Sequence, residues 1–557
     1  MQTLDWIILI GTLVFIVVYG IWKTRGKTTV KDFIKGGNSK WWTIGLSVMA
    51  TQASAITFLS TPGQAFHSGM GFVQFYFGLP IAMVIICLVF IPIYHRLNVY
   101  TAYEYLEQRF DLKTRTLAAF LFLVQRGLAA GITIYAPAII LSSILGWNLN
   151  WLNLIIGVLV IIYTVSGGTK AVSVTQKQQM FIIMSGMFIA FYLILSYLPE
   201  NITFGKALNI AGQNGKMDVV DFSFDLNNTY TCWSGMIGGT FLMLSYFGTD
   251  QSQVQRYLSG KSIRESQLGL LFNGLLKVPM QFFILLVGVM VFVFYQFQPS
   301  PIHFNPQVKE QIVQTSYAAD YEALEQEHAL NQQKILNLSE NQQALRVELN
   351  KKDAKLREDA KKLIDSSGIA AEKNDKDYVF LHFILNNLPK GLIGLLLAVI
   401  LSAAMSSTAS ELNALATTTT IDLYKRNHKE EKSDDHYVKA TRVFTLVWGI
   451  IAILFATFGT LVENLIQLVN IIGSIFYGNI LGIFLIAFFL KFIQSKAVFI
   501  SAFITQAIVI GLYFLNEHEI INLPYLWLNF VGCIIVILIA ILLTMFDNNS
   551  EELNELN

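Results

Sequence analysis

Residues 397–425 read LAVILSAAMSSTASELNALATTTTIDLYK, a segment of membrane-spanning length that carries far more hydroxyl groups than a lipid-facing helix tolerates. Hydrocarbon offers no water to hydrogen-bond, so Ser and Thr at that depth face protein, an ion or a cavity. On a helix Ala403, Ser406, Ser407 and Ser410 follow at offsets of three, four and seven and stack on one side. Two readings fit that stripe: oxygen ligands for a small hard cation, or small residues that let two helices approach closely.

The rest of the chain decides what kind of protein surrounds it. Of 557 residues, 54% are apolar, 13% aromatic and only 14% charged, and mean hydropathy is +0.51, outside the range of a soluble globular protein. The composition predicts an all-α polytopic membrane protein whose partner is the lipid bilayer. A net charge of +1, with Lys and Arg spread among loops, gives no sign of a nucleic-acid partner. Cys87, Cys232 and Cys533 sit in or beside apolar runs and form no metal-ligand or disulfide pattern. The first apolar run lacks a basic leader and a small-residue cleavage site, and is expected to be retained as a span.

A span takes about 20 apolar residues. Thirteen are expected, at 4–22, 42–62, 71–94, 117–146, 150–168, 178–198, 232–250, 266–296, 380–422, 440–459, 461–490, 496–515 and 523–546. Lys23, Arg25, Lys27, Lys31, Lys35 and Lys40 fill the first loop and Arg96, Arg109, Lys113 and Arg115 the third, marking both as cytoplasmic. Lys170, Lys177, Arg256, Lys261, Arg264, Lys425 and Arg426 fall on the same side. The N-terminus is then external and the C-terminus cytoplasmic, in a cytoplasmic (inner) membrane. The expected units are a leading helix and basic loop (1–41), a first five-helix repeat (42–198), an external loop (199–231) and the start of a second repeat (232–297). A charged external insertion (298–379), the rest of the second repeat (380–490), two final spans (491–546) and an acidic tail (547–557) complete the chain.

In the insertion, Leu349, Leu356 and Leu363 recur every seven residues and Leu338 is followed by Leu345 at the same interval. This pattern predicts amphipathic helices that form a hairpin or pair with a protein partner.

Span two, IGLSVMATQASAITFLSTPGQAF (44–66), embeds Gln52, Ser54, Thr57 and Thr61 and is expected to close at Pro62–Gly63. Polar stretches of this kind let carriers unwind a helix at mid-membrane and expose backbone carbonyls to ions. Span seven repeats the signal at Gly248. Breaks five spans apart are what two inverted five-helix repeats predict. Intramembrane charges cost about 2.5–3.5 kcal/mol each at a helix centre, so each is a functional candidate. Lys277 is expected to touch solute or to pair with Glu411, and Arg126 to act in gating or to snorkel. There is no HExxH, no GxSxG in a strand context and no Walker motif, so neither enzymatic chemistry nor ATP coupling is indicated.

Four stretches, YTVSGGTKAV (163–172), TDQSQVQRYLSGK (249–261), SSTASELNALATTTTIDLYK (406–425) and FIPIYHRLNVYTAYEYLEQRF (90–110), resemble the sodium:solute symporter family of sodium/glucose, proline, monocarboxylate and iodide carriers. The resemblance spans residues 1–546 apart from the insertion. It implies a LeuT-like 5+5 inverted repeat with about 13 transmembrane helices, and sodium-coupled import of a small organic solute. It also implies a Na+ site made by the carbonyls of Ala50, Ala53 and Ala403 and the hydroxyls of Ser406 and Ser407. Where some members hold a second sodium this chain has Gln176 and Ala409, so one sodium per cycle is expected. Solute contacts are expected from Thr57, Tyr76, Met243, Tyr246, Lys277, Gln467 and Asn470, with Arg126 and Glu411 as an ion pair or gate. Thr57, Tyr76 and Met243 depart from the sugar carriers, whereas TFLSTPGQAF (57–66), GITIYAPAI (131–139) and GNILGIF (478–484) look like carriers of monocarboxylates and other small anions. A sugar and a small organic anion both stay open. The alternatives are a solute-binding membrane sensor and a proton-coupled carrier on the same fold.

Overall fold

The computed structural model describes residues 2–24, 39–338, 342–369, 371–427, 432–458 and 465–555. Arg25, Lys27, Lys31 and Lys35 lie outside the described residues, as do the side chains of Lys23, Lys170 and the acidic tail.

Among the described residues the fold is helical. Nine helices are long and apolar enough to cross a membrane, and two shorter apolar helices, Thr3–Ile16 and Leu149–Ile162, accompany them. Spans two and seven are cut into short pieces: Trp41–Gln52 followed by Ala55–Ser68, and Gly238–Gly248 followed by Gln251–Leu258. With the broken pieces, one of which continues into the span Ala55–Leu97, the described helices come to roughly the thirteen crossings expected.

The crossings expected at 150–168 and 178–198 are carried by one helical element, Leu149–Ser196, of 48 residues. At 1.5 Å per residue it is about 72 Å long, more than twice a bilayer core. Its two halves pack against different helices. Asn153 donates to the Ala456 carbonyl (2.9 Å) near the end of helix Asp434–Phe458, while Gly186 lies against Leu396 near the start of helix Leu392–Thr418.

The closing of span two at Pro62–Gly63 is not observed. The break falls earlier, at Ala53 (φ −86°, ψ 76°), and the following helix runs through Pro62 to Ser68. Pro62 is the eighth residue of that helix, so its missing N–H costs a bond within the helix rather than at an end. The helix is held there by close packing. A Cβ on Gly63 would sit 1.7 Å from the Lys376 carbonyl, and one on Gly288 would sit 2.1 Å from the Pro62 carbonyl. Only glycine permits both approaches.

The 397–425 segment lies in helix Leu392–Thr418 and a π-helical turn, Thr419–Lys425. Its N-terminus is capped by the leading helix Thr3–Thr24, where Asp5 accepts from the backbone N–H groups of Gly391 (2.6 Å) and Gly394 (3.3 Å). This meets both the orphan donors and the positive end of the helix dipole. At the other end Asp422 takes Arg115 (2.7 Å) and Thr101 (2.7 Å), and Arg115 also pairs with Glu107 (2.7 Å). Arg115, a topology marker in the sequence, thus also ties this helix to the third loop.

Insertion helices Ala318–Leu336 and Gln343–Ser367 pack on one another, and Val308, Ile312, Tyr321, Ala360 and Ile364 form a small core separate from the membrane core. Leu356 is buried, whereas Leu345 is 41% exposed.

Candidate solute and sodium site

The first break opens onto a central cavity of about 80 Å³, which Leu242, Met243 and Tyr246 of the helix before the second break also line. At the first break, helix Trp41–Gln52 ends with carbonyls that no helical N–H can reach. Ala50 lies in that last turn, and the Thr57 hydroxyl donates to the freed Gln52 carbonyl (3.4 Å). Helix Ala55–Ser68 begins on the other side, so a negative helix end and a positive one face the same space. At the second break Asp250 caps helix Gln251–Leu258, accepting from the Ser252 N–H (2.8 Å) and hydroxyl (2.7 Å).

Asp250 also holds Arg126. The guanidinium is 2% exposed and is bonded to Asp250, to Glu411 (3.1 Å) and to the Tyr477 hydroxyl (2.6 Å). Tyr477 in turn donates to Asp250 (3.0 Å), and Thr133 donates to Glu411 (2.9 Å). Arg126 lies 5.3 Å from the Tyr246 ring centroid. Snorkelling is therefore wrong for Arg126: two carboxylates from other helices hold it in the interior.

Lys277 does not pair with Glu411, because Glu411 is taken by Arg126. Its Nζ is buried without a hydrogen-bond partner among the described residues and lies 6.0 Å from the Tyr76 ring centroid. Tyr76 lines the cavity and Lys277 does not. Gln467 is also outside it, in an outer cleft beside Tyr525. Thr57, Tyr76, Met243, Tyr246, Asn470, Ser407, Arg126 and Glu411 all line the central cavity.

On the hydroxyl-rich helix the Ser407 hydroxyl donates to the carbonyls of Ala403 and Ala404 (both 3.1 Å). Ser406 is 1% exposed and its hydroxyl has no partner among the described residues. An orphaned buried hydroxyl beside a second hydroxyl offers oxygens of the kind a hard cation takes. Gln176 bridges the two sides of this region. Its Oε1 accepts from Ser47 (2.5 Å), and its Nε2 donates to Thr51 (3.0 Å) and Ser410 (3.1 Å).

Asp250, Tyr477 and Thr133 are not singled out by the sequence reading. Asp250 hides at the end of an apolar run, where a carboxylate reads as loop. The signal is the charge balance: a buried Arg126 demands a counter-ion, and TD directly after Gly248 supplies it.

A helical membrane protein with two broken helices around one polar cavity is a carrier of the inverted-repeat class. The family model of the sodium:solute symporter family matches residues 33–321 and 361–505, and the chain belongs to that family, one of carriers and not of enzymes. It is 35% identical to human sodium-coupled monocarboxylate transporter 1 over 273 residues, 48% of this chain and 44% of that protein. With the sodium/sialic acid symporter SiaT of Proteus mirabilis (strain HI4320) it shares 26% identity over 502 residues, 88% of this chain and 85% of that protein. The matches to the monocarboxylate and sodium/iodide carriers span less than half of those relatives' length. A solved structure of a Na+-coupled sialic acid symporter in a substrate-bound outward-open state superposes with a TM-score of 0.76 at 23% identity, covering 98% of each chain, which establishes the shared LeuT-like fold.

Proposed function

We propose that the protein is a sodium-coupled symporter that imports a small organic solute by alternating access, with Na+ as the coupling ion. One observation carries this reading: the broken helix, the hydroxyl-rich helix and the Arg126 cluster meet at a single cavity. Sodium is held at the C-terminal, negative end of Trp41–Gln52 by the carbonyls of Ala50, Ala53 and Ala403 and the hydroxyls of Ser406 and Ser407. The solute lies beside it, against the N-terminus of Ala55–Ser68 with Ser54 and Thr57, under Tyr76, Met243, Tyr246 and Asn470.

A small organic anion is favoured over a neutral sugar. Helix N-termini attract negative charge, and the named relatives carry iodide, monocarboxylates or sialic acid. Arg126 is already neutralised by two carboxylates, so it shapes the cavity rather than supplying the counter-charge. Gln176, held by three hydrogen bonds, supports a stoichiometry of one sodium. The orientation is N-terminus outside and C-terminus inside, in a cytoplasmic membrane.

The driving force is adequate. One sodium crossing ~100 mV gains about 2.3 kcal/mol, and a tenfold gradient adds about 1.4 kcal/mol. Together they concentrate a neutral solute several hundredfold; a monoanion entering with one sodium uses the gradient alone, about tenfold. The test is uptake into proteoliposomes of pyruvate, N-acetylneuraminate and glucose with and without a sodium gradient. Sodium-driven accumulation of a carboxylate is expected. Accumulation of none of the three, or uptake indifferent to sodium and driven by a proton gradient, contradicts the reading.

A further inference from the structure

The face of the molecule that carries the 298–379 insertion has a second cavity, of about 550 Å³, against about 80 Å³ at the centre. That size lies within the range of small-molecule sites. One wall is insertion helix Gln343–Ser367; the others are the chain around Lys216, the outer end of Ala55–Ser68 and the end of Ile263–Phe294. Residues 322–360, which supply Gln332, Lys351, Asp353, Arg357 and Glu358, fall outside the family match. The insertion therefore builds part of this cavity, and residues within the family match build the rest.

Its lining is cationic: Lys216, Lys351, Arg357 and Lys361 against Asp353 and Glu358. Two of these cations are already committed. Arg357 binds Asp353 (2.8 Å) and the Ile302 carbonyl (3.0 Å), and Lys361 pairs with Asp375 (3.0 Å). Lys216 is different. Among the described residues its ammonium makes one hydrogen bond, to the His67 carbonyl (2.5 Å), and no ion pair, and it lies 5.0 Å from the Phe292 ring centroid. Burial, with a smaller push from Arg357 that outweighs the pull of Asp353, brings this lysine down to about 8. Gln332 has the opposite deficit. It is 5% exposed and donates to Asp353 (2.9 Å), but its Oε1 is buried with no donor. The cavity thus lacks one negative group and one hydrogen-bond donor.

We propose that this cavity binds a small hydroxylated monocarboxylate, its carboxylate on Lys216 and a hydroxyl on Gln332 Oε1, at a site separate from the central cavity. A ligand there touches the insertion and the outer half of the broken helix together.

The test is calorimetric titration of the purified full-length protein in sodium-free potassium buffer with D-glucuronate, and with D-glucose as the neutral control. Absence of sodium keeps the central site out of the measurement. Saturable binding of glucuronate and none of glucose is expected. Lys216→Gln is expected to weaken binding about tenfold to hundredfold, as the loss of one charge-assisted hydrogen bond, and Lys216→Arg to keep it. Should Lys216→Gln fail to fold, Gln332→Leu carries the test, with weakened glucuronate binding expected. No sodium-independent glucuronate binding in the wild type, equal binding of glucose, or unchanged affinity in the folded variants overturns the proposal.

Discussion

Replacing Arg126 by Met removes the one cation that Asp250 and Glu411 share, in a place where both carboxylates are largely buried. Arg126 is 2% exposed, Asp250 1% and Glu411 6%. Breaking a buried pair from one side strands the charge that remains and costs about 3–5 kcal/mol; here two carboxylates are stranded, so the upper part of that range is expected. Replacing all three, Arg126→Met with Asp250→Asn and Glu411→Gln, removes the stranded charges and is expected to recover most of the loss. Each new amide keeps a carbonyl oxygen, one for the cap on Ser252 and one for the Thr133 hydroxyl. The assay is denaturant unfolding of the purified protein in detergent for wild type, single and triple variants. An Arg126→Met protein within about 1 kcal/mol of wild type, or a triple variant less stable than the single, would refute the reasoning that charge compensation holds this cluster together.

Other expectations are independent of that cluster. Lys277→Met is expected to leave solute affinity unchanged and stability equal or higher, because it removes a buried cation with no hydrogen-bond partner among the described residues and keeps the volume; a large rise in the half-saturating solute concentration would return Lys277 to the site. Gln176→Leu deletes three buried hydrogen bonds and should cost about 2–4 kcal/mol, while sodium activation of the wild type should follow a Hill coefficient near one, both read from unfolding and uptake curves. Gly288→Ala pushes a methyl into the Pro62 carbonyl and should destabilise by about 1–3 kcal/mol, seen as a lowered thermal midpoint. Burial pushes Asp377, ahead of the membrane helix, up to about 6 against the Leu465 N–H that it accepts. A carboxyl raised above its unfolded value favours the fold while protonated, so its contribution is full below about pH 4 and is lost as pH rises through 6. Asp377→Asn should therefore raise the thermal midpoint above pH 7 and flatten its decline over that interval.

Much of the fold can be read from the chain because lipid makes hydropathy decisive: every crossing must satisfy its own backbone, so span number and the two breaks follow from apolar length and embedded polar residues. The position of the first break is less readable. Pro62–Gly63 is the stronger local signal, yet the helix runs on because Gly63 and Gly288 let neighbouring backbones clamp it. For the site, the hydroxyl stripe and Thr57, Tyr76, Met243 and Tyr246 are readable by position. The pairing of charges is not. Arg126, Asp250 and Glu411 come from three distant segments, and only the packing decides that Arg126 rather than Lys277 takes Glu411. The insertion's heptad leucines predict helices; the cavity they build with Lys216 cannot be foreseen without the packing.

The central claim is that sodium sits between the broken helix and the hydroxyl-rich helix. Its most direct test is sodium binding measured by calorimetry in the absence of solute, for wild type and for Ser406→Ala, whose hydroxyl has no other partner to lose among the described residues. A single wild-type site is expected, weakened about tenfold or more in the variant, the worth of one oxygen ligand to a charged ion. Unchanged sodium affinity in a folded Ser406→Ala protein would contradict the account.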